Sequence, residues 1–138
     1  MWIEEIVAGR PAQEATQGPR FFFDAGSGGV LWMTEPAAWE TWGNPVDLAR
    51  LPIGEALRRE LDALATRYDT SLNWDSPADP GPWREDECAA FNRDVRDALG
   101  RLRAELGPRW QIIDQFAELH ADPELDRYLA DPAGFRRR

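Results

Sequence analysis

The chain has 138 residues, the length of one domain, and its hydrophobic fraction of 43% excludes an intrinsically disordered protein. The formal net charge of -9, from 25 acidic and 16 basic side chains, disfavours binding to nucleic acid or to an anionic membrane. It favours a basic protein partner instead. We therefore predict a single domain, 1–138, large enough to form a core without disulfides or a structural metal.

The sequence contains one cysteine, so an intramolecular disulfide is impossible. No basic-then-apolar signal stands at the N-terminus, and no apolar run approaches the length that spans a membrane. We therefore expect a cytoplasmic protein.

The first part of the chain predicts a small sheet. Residues 1–7 fit either a short strand or a helical turn, and the small, polar residues 8–19 predict a mobile loop. Two β-prone runs, 21–23 and 30–33, flank the glycine-rich stretch 24–29, which is the pattern of a hairpin. The glycines do not have the spacing of a phosphate-binding loop, and no helix with a lysine follows them.

A short helix is predicted next. Thr34 or Glu35 can cap it, and Pro36 suits its first turn because no backbone N–H is required there. Gly43 is the predicted end, since glycine readily adopts the backbone conformation that follows a helix.

Two long amphipathic helices dominate the rest of the chain. The first spans about 54–70 and the second about 83–106, and each carries apolar residues at helical spacing. Carboxylates fill the first turn of the second helix, where the helix dipole favours them. The connection, 72–83, is rich in tryptophan and in proline, which forbids regular structure. We expect the other elements to pack around this pair.

The C-terminal part completes the predicted fold. Residues 110–116 predict a strand that adds to the hairpin, and a short helix follows near 122–129. Residues 133–138 predict a frayed basic tail. The predicted fold class is α+β, with a small antiparallel sheet of three to four strands packed against two long antiparallel helices.

Residues that could carry catalysis are scarce. His120 is the single histidine, and we interpret it as a surface residue; Cys88 lies on the apolar stripe of the second long helix and is predicted to be core. The carboxylates between Asp75 and Asp79 do not follow the pattern of a calcium loop. We predict no catalytic residue, no metal ligand and no cofactor.

The strongest candidate for a binding surface lies where the connection meets the second long helix. Tryptophans there can anchor a partner, and crowded carboxylates attract a cationic one. The candidate partner-binding residues are Trp74, Asp75, Asp79, Trp83, Glu85, Asp86 and Glu87. The alternative is that these carboxylates are simply solvated and favoured by the helix dipole.

Parts of the chain resemble a known group of proteins. The residues that carry the resemblance are Leu51-Pro52, Leu57, Leu61, Leu64, Tyr68-Asp69-Thr70-Ser71-Leu72-Asn73-Trp74, Pro77, Pro82-Trp83, Leu102 and Glu105-Leu106-Gly107-Pro108, with Phe22-Phe23-Asp24 and Leu31-Trp32. Over roughly residues 20 to 115 the chain resembles small acidic proteins encoded widely in high-GC Gram-positive bacteria. Such proteins are often immunity partners of secreted polymorphic toxins, so the resemblance implies an immunity function.

Three functional hypotheses follow. The leading one is an acidic immunity or antitoxin protein that neutralises a basic toxin domain by occluding its active site. The second is a small-ligand- or metal-binding domain, or a small enzyme, with a pocket of tryptophan and carboxylates. The third is a structural homodimer formed through exposed tryptophans, and the sequence does not distinguish a monomer from a homodimer.

Overall fold

The computed structural model describes residues 16–138. The predicted strand or turn at 1–7, and residues 8–15 of the predicted loop, lie outside the described residues. In chain order the elements are β1 Arg20–Phe21, β2 Leu31–Trp32, α1 Pro36–Trp42, a 3-10 turn Leu48–Arg50, α2 Glu55–Thr70, α3 Glu85–Leu106, β3 Ile113–Asp114 and α4 Leu125–Ala130. The predicted α+β class is confirmed.

Among the described residues, the sheet has three strands in the order β2-β1-β3. β1 and β2 form the predicted antiparallel hairpin, with Phe21 opposite Leu31. β3, predicted to be antiparallel, instead runs parallel to β1, so the sheet is mixed. The direction follows from the place where the chain leaves α3. Trp110 pairs with Gln17, just before β1, and the two segments then continue side by side.

The two long helices lie close to their predicted positions and pack against each other in antiparallel orientation. Arg67 near the end of α2 pairs with Asp94 at 2.8 Å. At the other end, the Gly54 amide donates to Glu105 Oε1 at 2.7 Å. The carboxylate of Glu87 accepts from the backbone amide before α3, which satisfies one of the free donors at a helix start.

The hydrophobic core lies between the helical pair and the sheet. Its fully buried side chains include Phe21 and Leu31 from the sheet, Leu57, Leu61 and Leu64 from α2, and Phe91, Val95 and Leu102 from α3. Burial of each such side chain contributes about 1.5–3 kcal/mol. The helical spacing of the α2 and α3 residues among them predicted the amphipathic faces of the two helices. Cys88, predicted to be core, is also buried.

The C-terminal segment lies against the body, where the sequence predicted a frayed tail at 133–138. Phe135 is only 5% exposed, and its ring packs edge-on against Tyr128 at 5.3 Å between centroids. The guanidinium of Arg127 lies 4.5 Å from the centre of the same ring. Arg137 donates to Asp122 at 2.8 Å and to the carbonyl of Ala78 at 2.8 Å. One buried aromatic ring among the arginines therefore holds the segment in place.

Candidate functional site

The predicted binding residues all lie at one end of the helical pair, which we call the connection end. It comprises the end of α2, the first turn of α3 and the connection between them, which extends to residue 84 because α3 begins at Glu85. The hairpin loop 24–29 and α4 both reach it. Asp69 Oδ1 accepts from the Gly26 amide at 3.0 Å, and Tyr128 contacts Asn73.

Trp74 is the most exposed tryptophan of the connection end, with 57% of its surface accessible. Its Nε1 donates to the backbone carbonyl of Asp69 at 2.6 Å. The ring lies over the hairpin loop, so a Cβ added at Gly26 would lie 3.4 Å from its Cη2. These contacts fix the indole while leaving much of it open to solvent. Trp74 can therefore act as an anchor that loses little conformational entropy on binding.

Trp83 has a different environment. It is half-buried at the edge of the core, and its ring packs edge-on against Phe91 at 5.3 Å between centroids. Such aromatic pairs stabilise a fold beyond their buried area. Trp83 therefore fastens the end of the connection to the body.

Two of the predicted carboxylates make structural contacts. Glu85 accepts from the Ala121 amide at 2.9 Å and contacts His120 Nδ1 at 3.0 Å. The hydrogen bond from the Ala121 amide, followed by that from His120, lowers the pKa of Glu85. Glu87 accepts from the backbone amide of Arg84 at 3.1 Å and so caps α3. Both carboxylates remain exposed to solvent while they make these contacts.

The other predicted carboxylates are less engaged. Asp75 and Asp86 are exposed, and within residues 16–138 their carboxylates form no hydrogen bond or ion pair. Asp79 is half-buried and faces Arg137. The pKa of the Arg137 guanidinium is raised, chiefly by its hydrogen bond to Asp122 and then by the charges of Glu124 and Asp79. Asp75 and Asp86 therefore carry the predicted charge that remains available to a partner.

A groove runs between the connection and α4, with a volume of about 360 Å³. It is lined by Leu72, Asn73, Trp74, Asp75, Pro80, Pro82, Leu125, Tyr128 and Leu129. The sequence did not identify its α4 wall as part of the site. A possible signal is the i, i+4 spacing of Leu125 and Leu129, which places both leucines on one helix face.

Asn73 holds the two walls of the groove together. Its Nδ2 donates to the carbonyl of Pro80 at 3.2 Å and to the hydroxyl of Tyr128 at 3.1 Å. Its Oδ1 accepts from the Ser76 amide at 3.0 Å. The amide thus fixes the shape of the connection and ties it to α4.

A second cleft, of about 390 Å³, contains both Cys88 and His120 on its walls. Burial, followed by the nearby carboxylates, raises the pKa of the Cys88 thiol, so the thiolate needed for nucleophilic attack is disfavoured. No hydrogen bond between residues 16–138 joins the two side chains. This geometry does not provide an activated nucleophile.

In residues 16–138, no group of three or more His, Cys, Asp or Glu side chains is arranged to hold a metal ion. No helix in that range is both long and apolar enough to cross a membrane.

The comparison with protein families identifies the chain. Residues 27–115, well over half of the sequence, match the family described as Serratia CdiI immunity protein-like. The chain belongs to this family. A search of curated proteins found no match. The immunity-protein resemblance inferred from the sequence is thereby confirmed.

The span that matches the Serratia CdiI immunity protein-like family contains most of the connection end. It includes half of the hairpin loop, the whole connection and α3, and therefore all seven predicted binding residues. It ends before α4, so one wall of the groove lies outside the matched residues.

Proposed function

We propose that this protein neutralises a basic toxin domain by binding it and blocking access to its active site. The observation that carries the proposal is the family match over residues 27–115, because members of an immunity-protein family protect by binding a toxin. The net charge of -9 supports a basic partner, since opposite charge accelerates encounter and disfavours wrong partners. The protection would take place in the cytoplasm.

We propose the connection end as the surface that contacts the toxin. Trp74 supplies an exposed and immobilised aromatic anchor, and Asp75 and Asp86 supply available negative charge. The other four predicted residues, Asp79, Trp83, Glu85 and Glu87, support that surface through contacts within the protein. Inhibition then needs no chemistry from this chain, because a bound protein excludes substrate by occupying the space in front of the active site.

The test is to mix the purified protein with the products of the genes adjacent to its own, among which we expect the toxin domain. Size-exclusion chromatography with light scattering should show a complex of defined stoichiometry, and the masses of the free protein would distinguish a monomer from a homodimer. Complex formation should weaken as salt is raised from about 50 mM to 500 mM, because salt screens exposed charges. Two components that elute separately at low salt would contradict the proposal.

A further inference from the structure

We infer that the groove between the connection and α4 receives an apolar side chain of the toxin domain, with an Arg or Lys side chain of the toxin beside it. The inference rests on the proposed function and specifies how the partner is recognised. The groove is the surface defined above by Trp74, Asp75 and the α4 residues Leu125, Tyr128 and Leu129, among others.

The exposed apolar side chains indicate this groove as the binding site, in preference to the rest of the described surface. Trp74 is 57% exposed and Leu129 is 53% exposed, and they face one groove from opposite walls. The other large apolar side chains exposed in residues 16–138, Trp39 at 41% and Ile113 at 46%, do not line it. Adjacent apolar side chains left in water mark interaction sites, because covering them is favourable.

Both walls of the groove are held in place. On one side, the indole of Trp74 is fixed by the carbonyl of Asp69. On the other, Tyr128 is fixed by its hydrogen bond with Asn73 and by its contact with the buried ring of Phe135. A pre-formed groove costs little ordering on binding, so burial of the partner's side chain contributes more directly to affinity.

The charge at the groove specifies the second part of the ligand. Asp75 lines the groove, and its exposed carboxylate has no partner in the described part of the chain. A cationic group next to the inserted apolar side chain would pair with this carboxylate. The net charge of -9 likewise favours a positively charged partner. At about 360 Å³ the groove is near the lower end of ligand-pocket sizes, so it suits one or two side chains.

The test compares matched variants in calorimetric titrations with the toxin domain that the mixing experiment identifies. Trp74→Ala and Leu129→Ala should each raise Kd at least about tenfold, because they remove the groove's exposed apolar contacts. Trp39→Ala and Ile113→Ala are the matched controls, since they remove exposed side chains of the same kinds elsewhere. The controls should change Kd by less than about twofold.

The charge is tested with a second pair. Asp75→Asn should raise Kd several-fold at low salt and have a smaller effect at high salt. Asp62→Asn removes the same charge from the exposed face of α2 and should have little effect. Thermal unfolding monitored by circular dichroism checks that every variant is folded, and Leu129→Ala is expected to be the least disruptive because its side chain is largely in water.

The outcomes separate the inference from the proposed function. If the wild type binds the toxin domain and the Trp74→Ala and Leu129→Ala variants bind equally well, the groove is not the anchor, and the proposed function stands. If the wild type itself does not bind, both fail. Weakened binding by both groove variants with unchanged controls supports the groove.

Discussion

At the scale of single residues, the hairpin loop and the connection depend on one close approach. Gly26 has a φ of 76°, a conformation that side chains with a Cβ adopt only at a cost. Its amide donates to Asp69 Oδ1, and Asp69 also accepts from the indole of Trp74 through its backbone carbonyl. A change at Gly26 therefore affects the surface that we propose for toxin binding.

Gly26→Ala should destabilise the protein by about 1–2 kcal/mol, because the positive φ is strained for alanine. The added Cβ also lies 3.4 Å from Trp74 Cη2. Gly100→Ala is the control. Gly100 lies inside α3, and no atom from another part of the chain lies within 4 Å of a new Cβ, so alanine should stabilise the protein by about 0.5–1 kcal/mol. Urea unfolding measures both, and equal effects would contradict the role assigned to Gly26.

The contacts of Glu85 predict a pH dependence of stability. Its pKa is lowered in the folded state, chiefly by the Ala121 amide, so these contacts stabilise the fold above the unfolded pKa. The stabilisation is lost as the pH falls through the folded value. The stability difference between the wild type and Glu85→Gln should therefore be larger at pH 7 than below the ordinary glutamate pKa of about 4.3.

The control for this experiment is Asp86→Asn, which removes a neighbouring charge that makes no hydrogen bond or ion pair in the described part of the chain. Urea unfolding at pH 7 and at pH 3 should show the pH-dependent difference for Glu85→Gln and little for Asp86→Asn. A difference for Glu85→Gln that stays constant across this range would rule out the assigned contacts.

At the scale of elements, the sequence predicted the helices and the hairpin, whose formation depends on residues close together in the chain. The bounds of α2 and α3 follow from apolar spacing and end signals, and the hairpin follows from two β-prone runs around glycines. The direction of β3 could not be predicted this way, because it depends on where α3 delivers the chain beside Gln17. The end of a helix depends on residues next to it in the chain, whereas the partner of a strand depends on which distant segments pack beside it.

The candidate site shows the same division. Trp74 and Asp75 were found by composition, since tryptophan and carboxylates stand out in a proline-rich connection. The α4 wall was missed because it is joined to the connection by a contact between residues far apart in sequence, Tyr128 with Asn73. No local pattern predicts a contact across more than fifty residues.

Phe135→Ala should loosen α4 and the connection together. It removes the buried ring that packs against Tyr128 and Arg127, at a cost of about 3 kcal/mol for that region. Hydrogen exchange should accelerate in α4 and in residues 72–84, while the buried centres of α2 and α3 change little. Arg138→Ala is the control, because it removes an exposed side chain without a contact of its own. Unchanged exchange in the connection would show that the C-terminal segment does not hold it.

At the scale of the whole molecule, total charge and its placement have separable effects on association. A net charge of -9 would attract a basic protein from a distance, whereas the carboxylates proposed for the contact, Asp75 and Asp86, would steer its approach to the connection end. Two variants that lose the same number of charges at different positions therefore distinguish a docking surface from general electrostatic attraction.

We compare Asp75→Asn/Asp86→Asn with Asp62→Asn/Asp97→Asn, which changes the net charge equally but on the exposed faces of α2 and α3. Stopped-flow association with the toxin domain should slow more for the first pair, and the dependence of its rate on salt should become flatter. Equal slowing by both pairs would show that only the net charge affects the association rate. It would contradict a contact between the toxin and the two connection-end carboxylates.

The central claim is that this protein protects a cell from a toxin by binding it, and a growth assay tests it most directly. The toxin domain identified as the binding partner is induced in bacteria with and without this protein. We predict that growth stops with the toxin alone and is restored by the wild-type protein. Growth arrest that persists while the folded protein accumulates in excess would contradict the account.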